Sequence, residues 1–162
     1  MTASTAPHEA ARPAREHDLP VMVELAGAAA DEKVGQKGGP IWARREGRPY
    51  PREGALRAAM ASSDHEVAVG TIDDTVVAYG VVRLERLLDG GVLGIIDDIY
   101  VDPGARGVGV GETLMNHLLD WCRAHGCFGV DSLALPGDRA TKNFFESFGL
   151  VARAIVVHRQ LR

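Results

Sequence analysis

The sequence has few cysteines and no long apolar run. Its 162 residues include only two cysteines, Cys122 and Cys127, too few for the disulfide framework of a secreted protein. No second pair of ligands accompanies them, and the histidines are not clustered, which argues against a metal site. No apolar stretch approaches the roughly 18 residues of a membrane span, and the first 20 residues lack the apolar middle of a signal peptide. We therefore expect a cytoplasmic protein without a membrane partner.

An excess of basic charge is also missing. The net charge is −4 at neutral pH, whereas nucleic-acid-binding domains usually carry a basic face, so we expect no nucleic-acid partner. The remaining composition, 46% hydrophobic and 25% charged, is ordinary for a globular protein of one domain. We expect residues 1–9, which are small, polar and proline-containing, to be a disordered tail and residues 10–162 to form a single domain.

Hydrophobic periodicity predicts an α/β domain in which early strands follow one another as a meander. The predicted order is β-α-α-β-β-β-α-β-α-β, with Asp18 as the N-cap of the first helix. The predicted strands cover residues 10–14, 65–72, 75–85, 92–101, 128–136 and 151–161, and the predicted helices cover residues 17–34, 52–61, 112–125 and 137–150.

A long segment, Gly35–Pro51, is rich in glycine, proline and arginine and separates the first two predicted helices. It also contains Trp42 and Tyr50. Loops of this length in a compact domain are often functional, so a substrate lid and a mobile surface loop are both open interpretations.

Four glycines lie in eight residues between an apolar strand and an amphipathic helix: Gly104, Gly107, Gly109 and Gly111. Glycines at a helix start let backbone N–H groups converge, and the helix N-terminus adds partial positive charge, which together favour phosphate. The dinucleotide motif G-x-G-x-x-G lacks its third glycine here, and a P-loop lysine is missing. The pyrophosphate of coenzyme A is the remaining interpretation.

Two motifs give the sequence its resemblance to a known family. Val101-Asp102-Pro103 leads into Arg106-Gly107-Val108-Gly109-Val110-Gly111, and "FFESFGL" (Phe144–Leu150) closes a later helix. At this spacing the sequence resembles the GCN5-related N-acetyltransferase (GNAT) family. The resemblance implies a mixed, mostly antiparallel sheet with helices on both faces, and a splayed strand pair that binds acetyl-CoA. It also implies direct transfer of acetyl to a primary amine of a small molecule or protein.

The same resemblance implies which residues bind the cofactor. The main chain of Ile99 and Val101 would bond the acetyl-pantetheine, and the Ile99 N–H would polarise the thioester carbonyl as an oxyanion donor. The pyrophosphate cradle would be formed by Arg106, Gly107, Val108, Gly109, Val110, Gly111 and Glu112, with further contacts from Asp138 and Phe145.

Two adjacent acids, Asp97 and Asp98, are candidates for the general base. An alkylammonium with a pKa near 10 is about one part in a thousand neutral at pH 7, so proton removal needs a base. Because neighbours on a strand alternate between faces, we expect only one acid to enter the cleft. The resemblance to the related strand of the family implies Asp97, with Asp98 in reserve. Desolvation by the surrounding isoleucines should raise its pKa.

One residue departs from the family pattern. Many relatives carry a tyrosine in the late helix that protonates the departing thiolate, and Phe145 stands at that position. Tyr100 or water could take this role. The departure leaves a non-catalytic acyl-CoA-binding sensor or partner module as the alternative function. A homodimer is compatible with such a fold, although no feature of the sequence decides it.

Overall fold

The computed structural model describes residues 5–162 and has an α/β architecture built on one five-stranded sheet. The strands follow chain order across the sheet, and every neighbouring pair is antiparallel except the last, which is parallel. The strands are β1 (Glu9–Pro13), β2 (His65–Ile72), β3 (Thr75–Arg86), β4 (Val92–Val101) and β5 (Gly129–Ser132). The helices are α1 (Leu19–Val34), α2 (Gly39–Arg45), α3 (Arg52–Ala61), α4 (Val110–Ala124) and α5 (Arg139–Ser147). The predicted fold class is confirmed.

Alternation along the strands gives the sheet two apolar faces, and each face packs against its own helices. On one face, α1 and α3 cover strand residues that include Val69, Tyr79 and Val81. On the other face, α4 and α5 cover a second set that includes Val82 and Ile96. The side of the sheet that a β4 residue faces therefore decides which helices it meets.

Helix α4 lies very close to the sheet. Its apolar residues recur at helical spacing, and Leu114, Met115 and Leu118 are completely buried. The helix can approach the sheet closely at Gly80 because this residue has no side chain: a Cβ there would lie only 2.9 Å from Cδ1 of Leu118. The first turn of α4 lies against the end of β4, where a Cβ at Gly111 would be 3.4 Å from Cγ2 of Val101.

The side chain of Asp18 does not cap α1 as predicted. A short 3-10 turn (Glu16–Asp18) precedes α1, and Asp18 already has helical backbone angles (φ −83°, ψ −15°), so its side chain is not directed at the first amides of α1. Instead it accepts hydrogen bonds from the guanidinium of Arg12 at 2.7 and 3.0 Å and from the backbone N–H of Arg15 at 2.7 Å. These bonds hold the pKa of Asp18 below its usual value and join β1 to α1.

Three further predictions differ from the structure. The segment 35–51 contains a helix, α2, which begins after Gly38 in a left-handed conformation (φ +81°) and buries Trp42. The predicted strand 128–136 is limited to Gly129–Ser132, because β4 offers a parallel partner only over Leu93–Ile96. Residues 151–161 form no strand, because their backbone has no ladder partner among the described residues.

The predicted disordered tail, residues 1–9, lies partly outside the described residues, which begin at position 5. Glu9 belongs to β1, and the backbone N–H of His8 donates to Asp73 at 2.9 Å. Within the described chain, none of the helices combines the length and apolar character needed to cross a membrane.

Candidate active site

A β-bulge in β4 places the two candidate acids. The register between β3 and β4 shifts between Val81 and Val82: Val81 faces Asp98, whereas Val82 faces Ile96. Asp97 is therefore an extra residue without a direct partner, and a bulge re-aims side chains at such a point. Asp97 and Asp98 line the same cleft. The expectation that only one acid enters the cleft is wrong, because it assumed unbroken alternation.

Strands β4 and β5 separate after Ile96, and the gap exposes main-chain groups. Their pairing ends at Ile96 and Ser132, whereas β4 continues to Val101. The N–H of Asp102 donates to the carbonyl of Val77 on β3 at 2.8 Å. Antiparallel ladders alternate, so the N–H and C=O groups of Ile99 and Val101 point away from β3 and into the gap.

The glycine loop presents amides at the end of this gap. Gly107 and Gly109 have left-handed angles (φ +85° and +93°), which suit glycine, and α4 begins at once with Val110. Within the described part of the chain, the N–H groups of Gly107, Val108 and Gly109 donate to no other backbone group. Unpartnered amides beside a helix N-terminus fit an anion such as pyrophosphate.

Two other members of the predicted cradle border this loop. Gly111 lies in the first turn of α4, where a Cβ would be in ordinary van der Waals contact with Phe144 on α5 at 3.5 Å. Glu112, also in the first turn, is exposed. The loop residue Val108 is likewise exposed.

The side chain of Arg106 points towards α1. Its Nε donates to the carbonyl of Val101 at 3.0 Å, and its Nη2 lies 3.3 Å from Oε1 of Glu32. The guanidinium also lies 5.2 Å from the ring centroid of Tyr100. Arg106, which leads into the glycine loop, is thus linked to α1, the helix on the face of the sheet opposite to α4.

Asp98 is held by donors on two sides. The guanidinium of Arg48, in the connection between α2 and α3, contacts its two oxygens at 3.2 and 2.5 Å. The hydroxyl of Tyr79 on β3 donates to Oδ2 at 2.8 Å. Only 11% of the Asp98 side chain and 14% of the Arg48 side chain are exposed. This cluster fastens the α2–α3 connection to the bulge.

Asp97 has a single partner and is more accessible. Nε of Arg83 donates to its Oδ2 at 2.9 Å, and 27% of the Asp97 side chain is exposed. Burial raises the pKa of Asp97 above its usual value, and the charge of Arg83 opposes this rise without cancelling it. The expected direction of the shift and its cause, desolvation, are both found in the structure.

Tyr100 faces the α1 side of the sheet. Its hydroxyl donates to Oε1 of Glu32 at 2.7 Å, and burial together with this carboxylate raises the pKa of Tyr100 to about 12. Tyr100 therefore keeps its proton at neutral pH.

Two predicted cofactor residues of the late motif have clear structural partners. Asp138 caps α5 by accepting the N–H of Thr141 at 3.1 Å and its hydroxyl at 2.6 Å. Phe145 is buried, with 6% exposure, in the apolar cluster that also contains residues of α4 and the sheet.

The sequence did not point to Lys33 and Arg52, two cations that lie in the cleft beside Trp42 of the candidate lid segment. Lys33 on α1, Trp42 on α2 and Arg52 on α3 line it together with the two acids. Nζ of Lys33 lies 4.7 Å from the Trp42 ring centroid, and burial lowers the pKa of Lys33. The ion pairs of the cleft engage other basic residues, not Lys33. No local motif marks these positions, because only packing of α1 to α3 brings them together.

The fold, the splayed strands and the glycine loop agree with a match to the family described as "Acetyltransferase (GNAT) family", which covers residues 39–150. The chain belongs to this family. The resemblance noted in the sequence is therefore confirmed.

The individual relatives share limited sequence identity with this chain. Glucosamine 6-phosphate N-acetyltransferase 1 of Oryza sativa subsp. japonica is 36% identical over 91 residues, which are 51% of this chain and 55% of that protein. The chain spans about half the length of the curated relatives it matches. A mutant protein from Bacillus halodurans has a TM-score of 0.81 at 21% identity, with 94% of this chain and 99% of that one covered. An aminoglycoside N-acetyltransferase solved in complex with CoA has a TM-score of 0.73 at 14% identity, with 99% of each chain covered.

Replacing Asp97 by asparagine should stabilise the protein at neutral pH. The pKa of Asp97 is higher in the folded protein than its ordinary value of 3.8. The free energy of unfolding should therefore decrease as the pH rises from about 3.8 through the folded-state pKa. An asparagine side chain cannot ionise, so Asp97→Asn should unfold at a higher temperature than the wild type at pH 7, with the difference shrinking near pH 3. Thermal unfolding at both pH values measures this.

The control is Asp120→Asn, which alters an exposed ion pair on α4 and should change stability little. A loss of stability in Asp97→Asn that is the same at both pH values would contradict the argument.

Proposed function

We propose that this protein is an acetyl-CoA-dependent N-acetyltransferase that acts on a primary amine. The observation that carries the proposal is the meeting of two features at Ile99. On one side, the gap between β4 and β5 leads from this residue to the unpartnered amides of the glycine loop. On the other side, Asp97 and Asp98 line a cleft bounded by α1.

In this proposal, the residues along the gap and the glycine loop bind acetyl-CoA and orient its thioester. The outward N–H and C=O groups of Ile99 and the N–H of Val101 are available to hold an extended pantetheine as a neighbouring strand would, whereas the Val101 carbonyl accepts from Arg106. The amides of Gly107 to Glu112 and the positive end of α4 are available to hold pyrophosphate. Bound acetyl-CoA supplies an acetyl group activated as a thioester. The Ile99 N–H is the proposed donor to developing negative charge on an oxygen in the gap.

Asp97 is the proposed general base. A base near neutral pH works better when its pKa is raised, and burial raises the pKa of Asp97. Both oxygens of Asp98 are already occupied by three hydrogen bonds from Arg48 and Tyr79, which leaves Asp97 as the more accessible acid. In this assignment Asp97 removes the ammonium proton of the acceptor, and Asp98 holds the cleft together.

Of the two proton sources considered for the leaving group, Tyr100 and water, we propose water. The hydroxyl of Tyr100 donates to Glu32, and its pKa of about 12 lies well above the ordinary thiol value near 8.5, so transfer of its proton to the thiolate is unfavourable. Phe145 cannot donate a proton. A thiol with an ordinary pKa near 8.5 also leaves tolerably as a thiolate, so the demand on such an acid is modest.

The glycine-loop assignment is tested by the substitution Gly109→Asp. An aspartate there would place negative charge beside the proposed pyrophosphate site, so acetyl-CoA binding by calorimetry should fall at least a hundredfold, about 2.7 kcal/mol. Gly126→Asp is the matched control: Gly126 follows α4 at its opposite end and also has a left-handed φ (+70°), and a Cβ added there would meet no atom within 4 Å. Equal binding by the two variants would contradict the assignment.

The base assignment is tested by steady-state turnover in Asp97→Asn. Loss of a general base should lower kcat by about 10²- to 10⁴-fold at pH 7, while calorimetry shows unchanged acetyl-CoA binding. The wild type should lose activity as pH falls through the raised pKa of Asp97, and this limb should be absent from the variant's residual rate.

Undiminished turnover in Asp97→Asn would contradict the role of this residue. Acetyl-CoA binding by the wild type, without transfer to any amine in a broad panel, would favour the non-catalytic binding module instead.

For the acceptor, we infer an amine that also carries an anionic group, with glucosamine 6-phosphate as the specific candidate. The curated relatives are named for this substrate. Lys33 and Arg52 line the same cleft as Asp97, and neither takes part in the ion pairs that neutralise the two acids. A cleft with a carboxylate for the ammonium and two cations for an anion suits an amino-sugar phosphate.

The acceptor is tested with Lys33→Met. Losing one charged hydrogen-bond donor should raise KM for glucosamine 6-phosphate roughly ten- to a hundredfold and leave KM for unphosphorylated glucosamine unchanged. Lys37→Met is the control, because Lys37 is exposed four residues further along the chain. A wild-type enzyme that uses both sugars equally well would contradict an anionic acceptor.

A further inference from the structure

Lys33 is a primary amine inside the cleft that contains the two acids. It lies in the last turn of α1 and lines the cleft together with Asp97, Asp98 and Ile99. Among residues 5–162 its ammonium forms no ion pair, and its Nζ lies 4.7 Å from the ring centroid of Trp42. The amine therefore lies in the cleft without a carboxylate bound to it.

Two opposing influences act on the protonation of this amine. Burial lowers the pKa of Lys33, while the charges of Asp98, Asp138 and Glu32 oppose this effect without cancelling it. An ordinary lysine has a pKa near 10.4, so only about one in 2,500 is neutral at pH 7. A lowered pKa increases the fraction of neutral amine, which is the form that can attack a carbonyl carbon.

The cleft also brings Lys33 towards the place where the acyl group would lie. Ile99 lines the cleft, and it follows the point at which β4 and β5 separate. This inference rests on the proposed function, in which the Ile99 N–H polarises the thioester carbonyl. An amine on the same chain as a bound thioester reacts as if at high concentration, because no second molecule has to be captured.

We propose that Lys33 is itself an acetyl acceptor, so that the protein acetylates its own cleft when acetyl-CoA is bound and no free amine occupies the cleft. The Lys33 ammonium first releases a proton to solvent, and the neutral Nζ attacks the carbonyl carbon of the thioester. A C–N bond forms and the C–S bond breaks. The departing sulfur takes up the second proton of the nitrogen through water. The products are N-acetylated Lys33 and coenzyme A.

Acetylation of Lys33 would change what the cleft binds. It converts an ammonium into a neutral amide, so that Arg52 remains of the two cations assigned to the anionic group of the acceptor. Prior incubation of the wild type with acetyl-CoA should therefore raise KM for glucosamine 6-phosphate roughly ten- to a hundredfold. The same incubation should leave KM unchanged in Lys33→Arg, which keeps a positive charge but has no amine to acetylate.

The three lysines of the chain allow the modification to be located. Lys37 is exposed, and Lys142 on α5 is paired with Glu146 at 2.8 Å, so both lie outside the set that lines the cleft. After incubation of the full chain with acetyl-CoA alone, peptide mass spectrometry should find Lys33 acetylated roughly tenfold faster than the other two. The rate constant should not depend on protein concentration, because the reaction occurs within one chain.

Two variants separate this reaction from chemical acetylation by thioester in solution. Gly109→Asp, which should weaken acetyl-CoA binding, should abolish the modification of Lys33, and Gly126→Asp should retain it. Equal acetylation of the three lysines, or modification of Lys33 that persists in Gly109→Asp, would overturn the inference. An unmodified Lys33 in a preparation that acetylates a free amine would overturn it and leave the proposed function standing. A preparation that acetylates neither would overturn both.

A measurement without acetyl-CoA tests the amine directly. Isotope-edited NMR of labelled lysine follows the side-chain signal of Lys33, which is assigned by its loss in Lys33→Arg. This signal should titrate with a pKa below the ordinary lysine value near 10.4, because burial disfavours the ammonium. A pKa at or above the ordinary value would overturn the inference.

Discussion

The site depends on hydrogen bonds that one strand does not make. Strand β4 has a partner on both sides only as far as Ile96, and from there to Val101 its outward main-chain groups have no strand beside them. Backbone donors and acceptors need hydrogen-bond partners. Here the groups that have none lie along the gap between β4 and β5, which leads to the start of α4. The gap therefore defines where an extended ligand can lie.

The bulge at Asp97 supplies the other half of the site. A regular strand would have sent one of the two acids into the α4 core, where an unpaired carboxylate is costly. The inserted residue turns both acids to the α1 side, where Arg48 and Arg83 provide opposite charges. The two acids then differ in environment, since three hydrogen bonds hold Asp98 and one holds Asp97. Different environments allow adjacent, chemically identical groups to take different roles.

The sequence predicted the fold well because local patterns agree with it. The helical spacing of Leu114 and Leu118, the glycine loop and the strand alternation of the meander each act over a few residues. The bulge was not predictable, since nothing in "IIDDIYV" distinguishes a bulged strand from a regular one. The positions of Lys33 and Arg48 in the cleft depend on tertiary packing. Residues 151–161 have the pattern of a strand, but a strand also needs a neighbour, which the pattern does not supply.

The contact of Arg106 with Glu32 connects the two sides of the sheet. An arginine that turns its guanidinium to a phosphate at the glycine loop gives up the carboxylate that it holds now, and Glu32 directly precedes Lys33 on α1. The Glu32 carboxylate would then keep the hydroxyl of Tyr100 as its donor and lose the opposite charge of Arg106. A phosphate bound at the glycine loop would therefore change the charge balance on the opposite face of the sheet.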